Sequence, residues 1–393
     1  MRVFFLMFVP IFAGTASAQG AFEHEFDADL TVVTAFSNDG DSTPETENLM
    51  AEASVSLGGA YLLDNGVEVS GRLTFRAQTD YSSRPGFAGT LIDCPPELEA
   101  CPSVEGDGLR GAFSRLSSTG ADMDAGGRGS LEAAYVAIDG GWGEVVFGRD
   151  QGIGQRFYEG GPTVFSLARS TNPILDPFGS SLTRTKNDIS SIAEKVSYVT
   201  PRILGVRAGG SYTPDADVRS LDLDTSRRQT GILEPELGDV WEAGLQGARY
   251  LRDADLRVRA SLTWSEAEVK SSVYDNVTTV SLGGEIERDD KFRIGVSYLD
   301  SDNGGLGRYD SLAAGATVWQ GPWALTISAD QAKDRTVRLD GHNLNIGVSR
   351  DVNDFVSFST GYRISKTDYI DVAAGAERTL DQSGVLLEVR IRK

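Results

Sequence analysis

This 393-residue chain carries few reagents for covalent or metal chemistry. It has two histidines, His24 and His342, and two cysteines, Cys94 and Cys101. Nucleophilic catalysis needs a serine, cysteine or aspartate held beside a base. Neither histidine has a motif around it, and no G-x-S-x-G elbow occurs, so catalysis is not expected. The cysteines stand close together in a proline-rich stretch. In an exported protein they read most simply as one loop disulfide, contributing about 2–3 kcal/mol by restricting the unfolded chain. A metal site is the sharper alternative, but no histidine lies near to complete a ligand set. Asp215, Asp217, Asp222 and Asp224 cluster in one segment, and Asp122 and Asp124 in another. Calcium takes oxygen ligands in irregular geometry, yet no twelve-residue EF-type loop is present, so a solvated charged loop is the preferred reading and structural Ca2+ the alternative. No other cofactor is implied.

Asp and Glu number 57 against 37 Lys and Arg, a net charge of −20. Nucleic acid is excluded as a partner, because binding its backbone needs a clustered basic surface. Arg2, the apolar stretch Val3 to Phe12 and Ala16-Ser17-Ala18 read as a secretory signal over residues 1–18. The remaining chain, 19–393, contains no linker of low complexity and reads as one domain. It also lacks the run of roughly twenty apolar residues that a spanning helix needs.

Those polar and charged residues must be positioned by something else, and the pattern is period-2 alternation. In Phe22 to Phe36 the even positions Phe22, Phe26, Leu30, Val32 and Phe36 are apolar, while Glu23, Glu25, Asp27 and Asp29 fall between them. Val69, Leu73, Phe75 and Tyr81 alternate with Glu68, Arg72, Arg76 and Gln78. About sixteen such segments follow one another. Connections after even-numbered segments are short, as at Asp64-Asn65-Gly66, a strong hairpin signal, and Gly140-Gly141. Every long connection follows an odd-numbered segment: 37–48, 82–128, 151–188, 215–238, 302–308 and 370–378. Several segments run ten residues or more, the length a tilted membrane strand requires. Aromatics near segment ends, among them Tyr61, Trp241, Trp264, Tyr298, Trp319 and Trp323, suit an interfacial girdle. The expected fold is therefore all-β: a 16-stranded antiparallel transmembrane β-barrel, since in lipid a non-helical span must close on itself. Pairing of the last strand with the first would place Arg390 and Arg392 near Glu25 and Glu23.

The stretch Ala134 to Arg149, a hairpin ending in Gly-Arg, resembles the general trimeric porins of Gram-negative outer membranes. So does Lys195 to Pro201, followed by Gly205, Ala208 and Tyr212. The resemblance implies outer-membrane localisation after signal cleavage near Ala18, a homotrimer in the lipid bilayer, and a water-filled lumen for small hydrophilic solutes and ions. It implies that the third extracellular loop, Gln151 to about Asp188, folds inward as a constriction. Its acids Glu159 and Asp176 would face an arginine cluster of Arg72 and Arg76, with Arg149 and Arg184 at the loop's ends. Ordinary lumen lining is the plainer reading of the same residues. Rings of charge filter ions in pores, and the −20 net charge leads to an expected cation preference. A substrate-specific channel or an adhesin-like surface-binding barrel is the alternative function.

Overall fold

The computed structural model describes residues 22–38, 49–79, 110–116, 127–173, 175–223, 235–371 and 376–393. The signal segment 1–18, Cys94 and Cys101, and Asp122, Asp124 and Asp224 lie outside the described residues.

Among the described residues there are sixteen strands and one short helix. The first half comprises β1 (Phe22–Asn38), β2 (Leu49–Leu62), β3 (Glu68–Thr79), β4 (Gly127–Gly140), β5 (Gly143–Arg149), α1 (Ile153–Arg156), β6 (Glu194–Val199), β7 (Val206–Asp215) and β8 (Leu237–Leu251). It is followed by β9 (Leu256–Val269), β10 (Val277–Arg288), β11 (Phe292–Ser301), β12 (Tyr309–Gln320), β13 (Trp323–Asp334), β14 (Leu339–Asp351), β15 (Val356–Asp371) and β16 (Ala376–Arg392). Each strand pairs antiparallel with its neighbour in sequence, and β16 returns to β1, so the sheet closes as a barrel.

Closure satisfies both backbone edges, the condition a spanning sheet must meet. The two faces then separate by residue parity. Ile294, Val296 and Tyr298 of β11, or Leu325 and Ile327 of β13, stand exposed on the outside. Ser297, Ser301 and Thr326 on the alternate positions are covered. An apolar outer band with a polar inside inverts a soluble protein and fits a lipid-facing wall. Of the aromatics assigned to the girdle, Trp319 departs: it lies beneath the Arg293 guanidinium, 5.7 Å from its ring centre, beside the turn to β13.

The seam exists, but its register differs from the one expected. Arg390 stands opposite Thr31, six residues beyond Glu25, and Arg392 opposite Asp29. Arg390 therefore pairs with Asp29, Nε to Oδ2 at 2.6 Å. Closing a tilted sheet demands a stagger between first and last strand, which charge matching at level ends ignores. Main-chain bonds between Ala28 and Lys393, at 3.1 and 2.8 Å, fix the end of the seam. The other difference is β6, which begins at Glu194 instead of near residue 189. Ile189, Ile192 and Ala193 are buried there.

The largest apolar cluster lies inside the barrel rather than between sheets. Phe165, Leu167, Leu175, Phe178 and Leu182 from the β5–β6 connection join Leu299, Tyr309 and Leu339 from the wall. Phe113 and Leu116, from the β3–β4 connection, enter the same cluster. Residues 110–116 lie as a strap against the rim near the β9–β10 and β11–β12 connections, where the Tyr274 hydroxyl donates to the Arg110 carbonyl at 2.9 Å. Phe113 and Ser114 donate their amides to Asn303 Oδ1, at 2.9 and 3.0 Å.

Candidate functional site

The segment between β5 and β6 determines how much of the lumen stays open. It starts with the single turn α1, where Ile153 N–H donates to Ser211 Oγ at 3.1 Å. Ile153 and Phe157 press against Gly209 and Gly244 so closely that a Cβ at Gly244 would lie 2.9 Å from the Phe157 ring. The chain then passes along the inner wall over further glycines. The Glu159 carbonyl covers Gly283, Gly160 covers Gly295, Pro162 covers Gly315, Phe165 covers Gly347 and Gly361, and Phe178 covers Gly384. Strand glycines expose flat backbone, and here they form the bed on which the loop lies.

Polar anchors hold it there. The Glu388 carboxylate accepts the amides of Ser166, Leu167 and Ala168 at 2.7, 2.9 and 2.9 Å. Asp330 accepts Thr183 Oγ1 at 2.7 Å, and also the Ser170 hydroxyl. Charge-assisted bonds of this kind are about twice as strong as neutral ones. With much of the wall from β7 to β16 so covered, open space remains beside β1 to β3 and the C-terminal end of β16. A cavity of about 630 Å3 on the short-turn side is lined by Asp27, Asp29, Arg72, Asp354, Arg390 and Lys393. It adjoins a narrower one of about 230 Å3 through shared Glu52, Ser166, Leu167 and Arg169.

The six candidate residues separate along this passage. Arg76 is at the narrow cavity, bonded to Asp222 at 2.6 Å with Glu132 and Glu52 at 3.6 and 3.7 Å. Arg184 also lines it, paired with Asp188 and lying 4.7 Å over the Phe113 ring. Arg72 lines the wide cavity instead, held by Asp27 at 2.7 Å and Glu25 at 3.2 Å. Arg149 pairs with Glu194 at 3.5 Å on the outer face, since it shares parity with exposed Phe147. Glu159 is turned to the far wall, accepting from Gln246 at 2.7 Å with Arg259 at 3.6 Å. Asp176 is fully buried, ion-paired with Arg363, and accepts the amides of Phe178, Ser180 and Ser181. These two acids tie the loop to the wall and do not line the narrow cavity.

The acid facing Arg76 comes from a different loop. Between β7 and β8, Leu221 donates its amide to Glu132 at 3.0 Å, and Arg128 donates to the Leu221 carbonyl at 3.3 Å. Those bonds draw residues 220–223 inward and deliver Asp222 to Arg76. Burial by itself would raise the Asp222 carboxyl, but Arg76 and Lys186 outweigh it and hold the group below its ordinary range. Asp222 is thus spent on an arginine, while Asp215 accepts the Asp217 amide at 2.9 Å. Among the described residues no group of three or more His, Cys, Asp and Glu is placed to hold a metal ion.

Residues at the narrow cavity that the sequence did not single out are Arg169, Lys186 and Asp188, all from the β5–β6 loop. That segment has no period from which a facing direction could be read. Glu52 was legible as a polar-face residue by parity alone.

Comparison with known proteins places this geometry. A family model described as Gram-negative porin matches residues 5–385. The anion-selective porin of Comamonas acidovorans superposes with a TM-score of 0.57 at 13% identity, covering 95% of this chain and 100% of that one. OmpF of Salmonella typhi, in complex with daunomycin, gives 0.58 at 12% identity, with 94% and 97% covered. The outer membrane channel DcaP of Acinetobacter baumannii gives 0.56 at 10%, with 96% and 100% covered. At such identities the likeness is one of fold. A search of curated protein sequences finds no match.

Proposed function

The chain belongs to the Gram-negative porin family, and from that premise we propose that it forms a water-filled channel of the outer membrane through which small hydrophilic solutes and ions diffuse passively. The observation that carries this reading is the polar-lined space left open beside β1 to β3 and the end of β16, while a pinned loop lies over much of the remaining inner wall.

Transport on this reading involves no chemical step. Size is filtered at the smaller cavity, lined by Arg76, Arg169, Tyr158 and Asp222 among others. Arg76, Arg169, Arg184 and Lys186 line the cavity together with Glu52, Asp188 and Asp222, so a passing solute meets fixed charges of both signs. The cation preference expected from the −20 charge is assigned to the mouths and loops, because charges of both signs are nearly balanced along the passage. Selectivity in simple salts is correspondingly weak. Assembly as a homotrimer and removal of residues 1–18 on export belong to the same proposal, and it needs no cofactor.

Planar-bilayer recording of the refolded chain from Gln19 onward tests the reading. Conductance steps in groups of three are expected, with a small reversal potential in a salt gradient. Deleting residues 158–185 should raise single-channel conductance severalfold. Silence from protein that is folded and inserted would refute the channel, and unchanged conductance after the deletion would remove this loop as the constriction.

A further inference from the structure

The cations of the narrow cavity are unequally satisfied. Arg76 has three carboxylates within 4 Å and Arg184 is paired with Asp188. Those bonds also occupy Asp222, Glu52 and Asp188, the acids that line the cavity. Arg169 and Lys186 have no carboxylate within 4 Å among the described residues. The Lys186 ammonium lies over the Tyr158 ring, 5.8 Å from its centre. Arg169 anchors itself through Nε to the Phe165 carbonyl at 3.2 Å, which leaves the rest of its guanidinium exposed to the passage. Two further donors, Nε of Arg76 and Nε of Arg184, are buried without a hydrogen-bond partner.

We propose that Arg169 and Lys186 form a subsite for a small oxyanion, a carboxylate or a phosphate, in the smaller of the two lumen cavities. The inference rests on the channel reading and adds a solute class to it. Lys186 is half-buried, and such a cation is costly unless paired; an oxyanion would supply the missing acceptor, with the exposed Arg169 guanidinium beside it as a second donor. Thr171 and Asn172 line the same cavity and offer neutral hydrogen bonds beside the two charges. Burial, with a smaller contribution from the neighbouring Arg169, pushes the Lys186 ammonium down against the pull of Asp188 and Asp222, so this cation is incompletely compensated where it lies. Arg169 belongs to both cavities, so an anion drawn in from the wide side meets it before reaching Lys186. The chain's overall charge of −20 gives no hint of such a site. Long-range charge sets who approaches, whereas local pairing sets who pauses.

Current block in the planar bilayer at about 0.1 M salt measures the site, with succinate and inorganic phosphate as the two probes. Both should reduce the open-channel current of the parent, and the stronger blocker identifies which oxyanion geometry fits. Lys186→Gln should weaken block about fivefold or more, the effect of removing one charge some 5 Å from the ligand. Lys186→Glu should abolish block and shift the reversal potential toward cations. Lys291→Gln, the same charge change in the exposed β10–β11 turn, should leave block unchanged. An open parent channel unaffected by either probe, or equal block in parent and Lys186→Gln, overturns the subsite while leaving the channel intact. An absence of conductance in the parent would overturn the channel itself.

Discussion

At the residue scale, type and parity say that a charge exists and which face of a strand bears it. They do not say what it meets. Arg76 was placed on the polar face by alternation, and the structure sets it at the narrow cavity with Asp222, Glu132 and Glu52. Glu159 and Asp176 are loop acids of the expected kind, yet both are used as anchors. Asp176→Asn would leave Arg363 buried beside a neutral amide. Breaking a buried pair costs about 3–5 kcal/mol, so the apparent stability of the folded barrel in denaturant should fall by that order. The same variant should show noisier single-channel current, because the pair ties residues 176–181 to β15. Unchanged stability and a quiet current would show that the pair does not hold the loop.

At the element scale the strands were legible and the loop's path was not. Period 2 survives wherever one face meets lipid and the other water, so most strand boundaries fall within three residues of those observed. The expected start of β6 near residue 189 failed because Ile189 and Ile192 are apolar through burial in the interior rather than through facing lipid. Glycines carry the loop's path, one strand after another, but in sequence they look like any turn or bulge glycine. Gly283→Val tests the bed: its side chain would collide with the Glu159 carbonyl, displacing the loop and costing about 1–3 kcal/mol. A changed conductance is expected with it. Gly247→Ala is the matching control, since nothing lies within 4 Å of the added Cβ. Equal behaviour of the two variants would rule out the bed as the loop's support.

At the scale of the whole molecule, two long-range joins shape the barrel. One is the seam, where the Arg390–Asp29 pair is partly exposed and should contribute no more than about 1 kcal/mol. Asp29→Asn should therefore leave folding nearly unchanged, with closure maintained by the main-chain ladder. A loss of several kcal/mol in a denaturant titration would show that the ion pair matters more than the ladder. The other join is the strap, held on the rim by the Asn303 side chain and by bonds between Arg110 and Tyr274. Asn303→Ala leaves two buried amides without their acceptor and should lower stability by about 1–3 kcal/mol. It should also let solutes enter more freely, read as higher conductance. An unaltered conductance would mean the strap does not limit the mouth.

The sequence by itself determined the barrel: strand number, hairpin order, the two faces and the existence of a seam. Each is dictated by local alternation and turn chemistry under one global condition, that no backbone edge remain unpaired in lipid. Only the tertiary structure decided the register of closure, because barrel stagger is a property of the whole ring. It alone decided the site as well. Arg76 on β3, Asp222 on the β7–β8 connection, and Arg169 and Lys186 on the β5–β6 connection meet in one cavity. Irregular loops carry no period to aim their side chains, so their facing directions come from anchors such as Glu388 and Arg363, far away in the chain.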